Sequence, residues 1–385
     1  MASAAADLRT RWQAWRDRHL TDAGFRERAL AHAPGRWVAR RRARALFDLI
    51  AGFVYSQVLA ACVQLRLFER LAAQPQTAAA LAEACGLPVE RLQRLLEAAV
   101  ALRLLERRSA WRWRPGPGPT PRYGLGPLGS ALVDNPALVA MVGHHRALYA
   151  DLADPVALLA GREGRLADFW PYAGSDDPRH LPGAAVADYS ALMSASQPLV
   201  AQEVLQAYPV AQHRCLMDVG GGEGLFLAAA ARAAPQLQLM LFDLPAVADR
   251  AWRQLLAQGL AGRAQVHGGD FLRQPLPTGA DLITLLRVVH DHDDDAVQQL
   301  LRSAHQALPP GGTLLLAEPM ADTPGARAMG DAYFGIYLMA MGSGRPRSAR
   351  ELTGRLQAAG FVDVQVRPTR LPLQTALLVA RRARA

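Results

Sequence analysis

The sequence predicts an α/β doubly wound domain preceded by a helical domain. Three observations carry this. From about residue 210, short apolar runs alternate with helical patterns, the rhythm of strands joined by crossover helices. From 43 to about 185 the apolar spacing is helical with one interruption. Between the two rhythms, "DVGGGEG" (218–224) clusters glycines where a first strand passes into a helix, the place where such sheets bind ligands.

The bulk numbers agree. A chain of 385 residues, 51% hydrophobic and 20% charged, is long enough for two cores and unlike a disordered chain. Cys62, Cys85 and Cys215 form no C-x-x-C pair, which points to a reducing compartment and no disulfide frame. Every one of the 43 basic residues is arginine, and net charge is +9. The arginines concentrate early, in "RWVARRRARAL" (36–46) and "ERRSAWRWR" (106–114). The polar start lacks the apolar core of a secretory signal, so a cytoplasmic location is expected. One run, 46–68, approaches the length of a membrane span. Asp48, Gln57 and Gln64 interrupt it and Arg66 ends it, so a buried amphipathic helix is expected. The arginines ahead of it leave peripheral docking to anionic lipid open.

The expected organisation is a basic N-terminal extension (1–40), a helical domain (41–185) and the α/β domain (186–385). Within 77–108 two helices are separated by Gly86 and Pro88. Two strand-like pieces, "AWRWRP" and "PRYGLG", follow around "GPGPTP". This is a winged-helix outline, open to two uses. A DNA-reading helix needs polar side chains for base edges, whereas "ERLQRLLEAAVALRLLERR" has an apolar centre. Dimerisation is therefore expected, and no nucleic acid. Seven strands are expected at 215–220, 238–245, 264–270, 281–289, 311–319, 362–368 and 375–382, with helices between the first five.

Three strand ends carry polar chemistry. The loop with Asp218, Gly220 and Gly222 lets backbone approach a ligand. It is no dinucleotide fingerprint, since the last glycine of G-x-G-x-x-G would fall on Leu225, and no G-K-[ST] phosphate loop exists. Asp243 ends the second strand, where a carboxylate accepts from ribose hydroxyls. Asp270 and Phe271 end the third, suited to an adenine amino group and ring. Together these describe an adenosine site without phosphate recognition.

In this order "DVGGGEG", "FDLP", "GGDF", "HDHDDD" and "PGGTLLLAE" resemble the S-adenosylmethionine-dependent O-methyltransferases of the caffeate and hydroxyindole type, over about residues 45–385 including "YGLGPLGSAL" (123–132). The resemblance implies a Rossmann-like seven-stranded sheet with one antiparallel strand and S-adenosylmethionine as methyl donor without a metal. It also implies a homodimer and a substrate pocket partly roofed by the helical domain. The stretch "RRRARALFDLIAGFVYSQVLAACVQLRLFERL" and "MSASQPLVAQEVL" (193–205) further resemble the carotenoid O-methyltransferases of purple bacteria, the hydroxyneurosporene and demethylspheroidene type.

"HDHDDD" (290–295) admits two chemistries. His290 follows an apolar strand into the glycine-loop crevice. Its imidazole, with a reference pKa of about 6.5, is mostly neutral at cytoplasmic pH and able to take a hydroxyl's proton; the resemblance also places the family's base there. H-x-H-x-D also opens zinc ligand runs, but Asp295 stands where another histidine is needed, and zinc sites take three or four ligands. Asp293, Asp294 and Asp295 suit a helix N-terminus, and His292 replaces a tryptophan common in the family as a packing substitution. Glu318 corresponds to a glutamate that orients the histidine in phenol-methylating relatives, whose second acid is replaced here by Pro346. Arg287 is a candidate cofactor contact.

For the acceptor wall, Phe169, Trp170 and Met193 are candidates, with Tyr333, Tyr337 and Met341 from "DAYFGIYLMAMGSG" (331–344). Aromatic and methionine side chains without a basic cluster suit an apolar hydroxylated ligand. The expected function is O-methylation of a hydroxycarotenoid. The rivals are a phenol or aromatic polyketide acceptor, carbon methylation of a bacteriochlorophyll precursor, a winged-helix ligand-sensing regulator and a zinc hydrolase.

Overall fold

The computed structural model describes residues 2–108, 120–162, 164–168, 187–372 and 374–384. The chain divides into two compact units, residues 1–134 and 135–385.

The first unit opens with α1 (Ala2–Thr21), α2 (Ala23–Ala31) and the long α3 (Ala33–Gln64). The expected basic extension, 1–40, is thus almost wholly helical. Asp22 caps α2 by accepting from the Phe25 amide, which lets the chain turn within two residues. After α4 (Leu67–Ala73) and β1 (Gln76–Thr77) come α5 (Ala78–Cys85) and α6 (Val89–Ala101). Thr77 caps α5, and Gly86 at φ 65° ends it. Leu92, Leu96 and Ala99 form the buried stripe of α6. Antiparallel β2 (Leu105–Arg108) and β3 (Arg122–Leu125) pair Leu105 with Leu125, and β1 pairs with β3. The first hairpin strand thus lies at "LERR". The expected strand at 110–115 lies outside the described residues.

α3 corrects an expectation. Its apolar stripe, Leu46, Phe47, Leu49, Ile50, Phe53 and Val54, is exposed, and only Ala60 and Cys62 are buried. The spacing is amphipathic as expected, but among the described residues no segment covers the stripe. Among the described residues, α3 is the one helix long and apolar enough to cross a membrane.

The second unit starts with α7 (Pro136–Asp151), α8 (Pro155–Leu159), α9 (Arg165–Asp168) and α10 (Ala187–Ala207). The division falls at 134/135, ahead of the expected 185. The reason is that Leu148, Leu158 and Leu166 pack on Phe334, Tyr337 and Leu338 far along the chain. Then follow β4 (Cys215–Val219), α11 (Leu225–Ala233), β5 (Gln238–Asp243), α12 (Pro245–Ala257), β6 (Ala264–Gly268) and β7 (Leu282–Leu286). The chain ends with α13 (Asp294–Ala307), β8 (Thr313–Glu318), α14 (Phe334–Met341), α15 (Ala349–Ala358), β9 (Phe361–Arg367) and β10 (Ala376–Arg382). All seven expected strands form one sheet, ordered β6-β5-β4-β7-β8-β10-β9, with β10 antiparallel to both neighbours. The helix expected between the third and fourth of these strands is missing: 269–281 runs as turns, because Pro275, Pro277 and Gly279 break a helix.

Alternate strand residues serve opposite layers. Met217, Val219, Ile283, Leu285, Leu314 and Leu316 face one core, while Leu216, Leu282, Leu286, Leu315 and Ala317 face the other. That double coverage is why these strands read as continuous apolar runs. Each fully buried leucine contributes about 1.5–3 kcal/mol. Strand order reverses at β4 and β7, so the loops after these strands flank one crevice.

Candidate active site

The loop after β4 is shaped by glycine. Gly220 sits at φ 67°, and a Cβ there would stand 2.7 Å from Val288 Cγ2. Gly222 sits at φ 58° beside open space, and its amide donates to Asp243 Oδ2 at 2.8 Å. Left-handed backbone and close approach both require the absence of a side chain. Beneath the loop, Thr284 Oγ1 donates to Asp218 Oδ1 at 2.5 Å, the two residues being in register on β4 and β7. Burial pushes the Asp218 carboxyl up to about 7, and Oδ2 has no partner among the described residues. Asp218, expected at the ligand, supports the loop from below instead, because its strand register turns it toward Thr284.

A cavity of about 400 Å³ opens at this crevice, lined by Gly220–Gly222, Asp243, Asp270, Phe271 and Arg287. Six of the seven expected cofactor contacts therefore converge. The lining holds five carboxylates (Glu223, Asp243, Asp270, Asp291, Asp293) against two guanidinium groups (Arg273, Arg287). In a protein of net charge +9, an acidic pocket favours a cationic ligand. Burial pushes the Asp243 carboxyl up to about 6, so hydroxyl donors near it stabilise its charged form. Asp270 Oδ1 accepts from the Leu272 amide at 2.8 Å. These residues fit S-adenosylmethionine, which has a ribose diol, an adenine and a sulfonium and carries no phosphate.

Arg287 adopts φ 59° immediately after β7, a strained conformation for a long side chain. Its guanidinium donates to Ser196 Oγ at 2.5 Å and to Met193 Sδ at 3.3 Å. Met193, expected at the acceptor, thus lines the cofactor-sized cavity.

His290 lies in a short 3₁₀ turn, Val289–Asp291, and is 4% exposed. Its Nε2 stands 3.0 Å from Asp291 Oδ1, and its Nδ1 has no partner among the described residues. Asp291 lines the cavity, whereas His290 stands behind it, stacked on Phe334 at 5.7 Å between ring centroids. Burial pulls the His290 pKa down, but the Asp291 contact and the Glu318 charge outweigh it, and the net direction is upward. The expectation of an unshifted imidazole is corrected accordingly. Glu318 Oε2 accepts from the backbone amide of His290 at 3.0 Å. Glu318 therefore holds the turn, and the ring's partner is Asp291.

The loop is tied down from far along the chain. Arg347, wholly buried, donates to the carbonyls of Val289 (3.0 Å) and His292 (2.8 Å) and to Asp294 Oδ1 (2.7 Å). Ser343 Oγ donates to the Asp291 carbonyl, and the Arg345 amide to that of His290. The three aspartates sit at the start of α13 as expected, Asp293 at the N-cap position and Asp294 and Asp295 in the first turn. Asp293 makes no side-chain cap and accepts from the Gly344 amide, while Asp294 gathers Arg345, Arg347 and Arg355. His292 also lines the cavity, edge-on to Phe271 at 5.2 Å, and so does more than fill space.

Tyr333 and Tyr337 stack at 5.7 Å and hydrogen-bond His145 and His144, each at 2.8 Å. Met341, 1% exposed, belongs to the packing core on which Tyr333 and Tyr337 also rest. Phe169 and Trp170 lie outside the described residues. Glu223, which pairs with Arg250 and accepts from Ser194 Oγ at 2.8 Å, was not among the expected site residues, and neither was Asp291. The last was in plain view as the neighbour of His290, but a ring contact between adjacent residues needs the 3₁₀ turn to exist.

Comparisons with known proteins agree with this geometry. An O-methyltransferase domain matches residues 174–362, and an O-methyltransferase dimerisation domain matches 47–135. The chain is 46% identical over 350 residues to demethylspheroidene O-methyltransferase of Cereibacter sphaeroides, covering 90% of this chain and 88% of the relative. It is 42% identical to the enzyme of the same name from Rhodobacter capsulatus, over 90% and 84%. The crystal structure of human N-acetylserotonin methyltransferase in complex with SAM shares the fold, with a TM-score of 0.70 and 23% identity over 89% of this chain and 98% of that one.

Proposed function

We propose what this chain does from the family to which it belongs, the S-adenosylmethionine-dependent O-methyltransferases: as a homodimer, it methylates the hydroxyl of a hydroxycarotenoid. The observation that carries the acceptor is the identity of 46% and 42%, over nine tenths of the chain, to two demethylspheroidene O-methyltransferases. The wall beside His290 supports it. Tyr333, Phe334 and Tyr337 offer aromatic surface, and burial holds His144 uncharged, its pKa pulled down to about 4. Such a wall suits an acceptor with no charge of its own.

In this reading Gly220 and Gly222 bring backbone against the donor, Asp243 accepts from the ribose hydroxyls, and Asp270 with Phe271 receives the adenine. Arg287 fixes the wall between Met193 and Ser196. When bound, S-adenosylmethionine supplies a methyl group on a positively charged sulfur. His290 acts as general base. Its Nε2–H donates to Asp291, which leaves the Nδ1 lone pair to receive the hydroxyl proton as the acceptor oxygen attacks. Asp291 stabilises the imidazolium that results, and Glu318 fixes the turn through the backbone. A carotenoid alcohol is less acidic than a phenol, so no oxyanion forms in advance and orientation carries more of the barrier.

The test is methyl transfer from labelled S-adenosylmethionine to a panel of hydroxylated carotenoids beside phenols. Label on the carotenoid hydroxyl is expected. Label on phenols with none on any carotenoid would replace the acceptor class and leave the chemistry.

A further inference from the structure

Residues 1–44 hold eleven arginines against four acidic residues, which is +7 of the chain's +9. All eleven arginines are exposed along α1, α2 and the first third of α3. Three of the chain's seven tryptophans stand among them, Trp12 at 57%, Trp15 at 52% and Trp37 at 63% exposure. Large aromatic side chains left in water need a reason, because each carries a substantial apolar area. Two are paired with cations of their own helix: Arg16 lies 5.5 Å above the Trp12 ring and Arg41 5.7 Å above Trp37. The dimerisation domain does not account for this segment, since its match begins at 47. The apolar stripe that a second copy can cover begins at Leu46, where the arginines stop.

We propose that residues 8–44 form a docking element for the surface of an anionic lipid bilayer. The juxtaposition of exposed indoles with interleaved guanidinium groups is what recognises it. Indole rings settle at the level of lipid headgroups, one end apolar and the other wet. Arginines beside them meet anionic phosphates, and together the two kinds of contact give reversible attachment without a span. A nucleic acid satisfies the arginines but gives three separated indoles no apolar layer to enter. The inference stands on this surface alone and holds whichever hydroxylated acceptor the enzyme uses.

The experiment is flotation of the purified full-length protein with vesicles of phosphatidylcholine containing 30% phosphatidylglycerol, and with phosphatidylcholine alone. Wild type is expected to float with the anionic vesicles at low salt, to be released at high salt as screening shortens the reach of the charges, and to stay behind with the neutral ones. Each basic residue near such a surface contributes about a fivefold factor. Replacing Arg40, Arg41, Arg42 and Arg44 with glutamine should therefore weaken partitioning by about several hundredfold. Trp12→Ala with Trp15→Ala and Trp37→Ala should weaken it about tenfold or more and reduce quenching of protein fluorescence by brominated acyl chains. Calorimetric binding of S-adenosylhomocysteine, unchanged in both variants, checks that they fold. Four results would overturn the proposal: wild type that does not float, a folded arginine variant that floats as well as wild type, tighter binding to duplex DNA than to the vesicles at equal salt, or retention through an alkaline carbonate wash, which marks a spanning helix.

Discussion

Two loops flank the crevice at the ends of β4 and β7, and they are built by opposite means. The loop at 220–224 owes its path to absent side chains, with Gly220, Gly222 and Gly224 all at positive φ. The loop at 287–294 owes its path to side chains that arrive from elsewhere: Glu318 from β8, and Ser343, Arg345 and Arg347 from the segment before α15. The first holds a shape for backbone to meet a ligand. The second holds the turn that positions a titratable ring. A permissive loop is specified locally, and a braced one is specified by the tertiary structure.

The largest effect should come from the ring that the braced loop exists to hold. His290→Ala should lower kcat by about 10²–10⁴, or roughly 3–5 kcal/mol of barrier, while calorimetric binding of S-adenosylhomocysteine persists. Near-normal turnover would leave the second loop without a catalytic purpose. Next, Arg347→Leu strips donors from two buried carbonyls and from Asp294. It should cost about 2–4 kcal/mol in urea unfolding. A loss under about 0.5 kcal/mol would show that the loop holds itself. In the glycine loop, Gly220→Ala meets Val288 and an unfavourable backbone region. Cofactor binding should weaken about tenfold, which is 1.4 kcal/mol; unchanged affinity would mean that the added methyl group is accommodated without moving the loop.

The smallest effect is a shift in pH. His290 works as a base only when unprotonated, and its pKa is raised partly by Asp291. The acid limb of kcat/KM should therefore lie above pH 6.5, the reference value for histidine. Asp291→Asn removes a charge that favours the protonated ring, so the limb should move to lower pH with a several-fold fall in kcat. A limb that stays in place would separate Asp291 from the ring.

The same contrast explains what could be read in advance. All seven strands and the positions of Asp243, Asp270 and Phe271 were legible, because double-sided burial writes continuous apolar runs and strand ends follow from them. The glycine loop was legible for the same local reason. Asp218 was misplaced because its direction depends on register with Thr284 on a strand 66 residues away. The aspartates of "HDHDDD" open α13 as their place in the sequence predicts, but the gathering of three arginines on Asp294 from 51 to 61 residues later depends on the tertiary fold. Glu318 was correctly tied to His290 but through the wrong atom, since only the folded turn sets the backbone amide against the carboxylate. The exposed stripe of α3 shows the limit from the other side: spacing reveals an apolar face and is silent on whether the chain itself or a second copy covers it.

α3 runs 32 residues without a break, a rod of about 48 Å at 1.5 Å per residue. Its arginine third and its apolar stripe therefore cannot turn independently of each other. Were two copies to join through the stripe, they would carry two cationic tips at a fixed spacing. Attachment of the first tip raises the local concentration of the second, so a pair of individually weak grips becomes avid. Splitting the pair would loosen both copies at once.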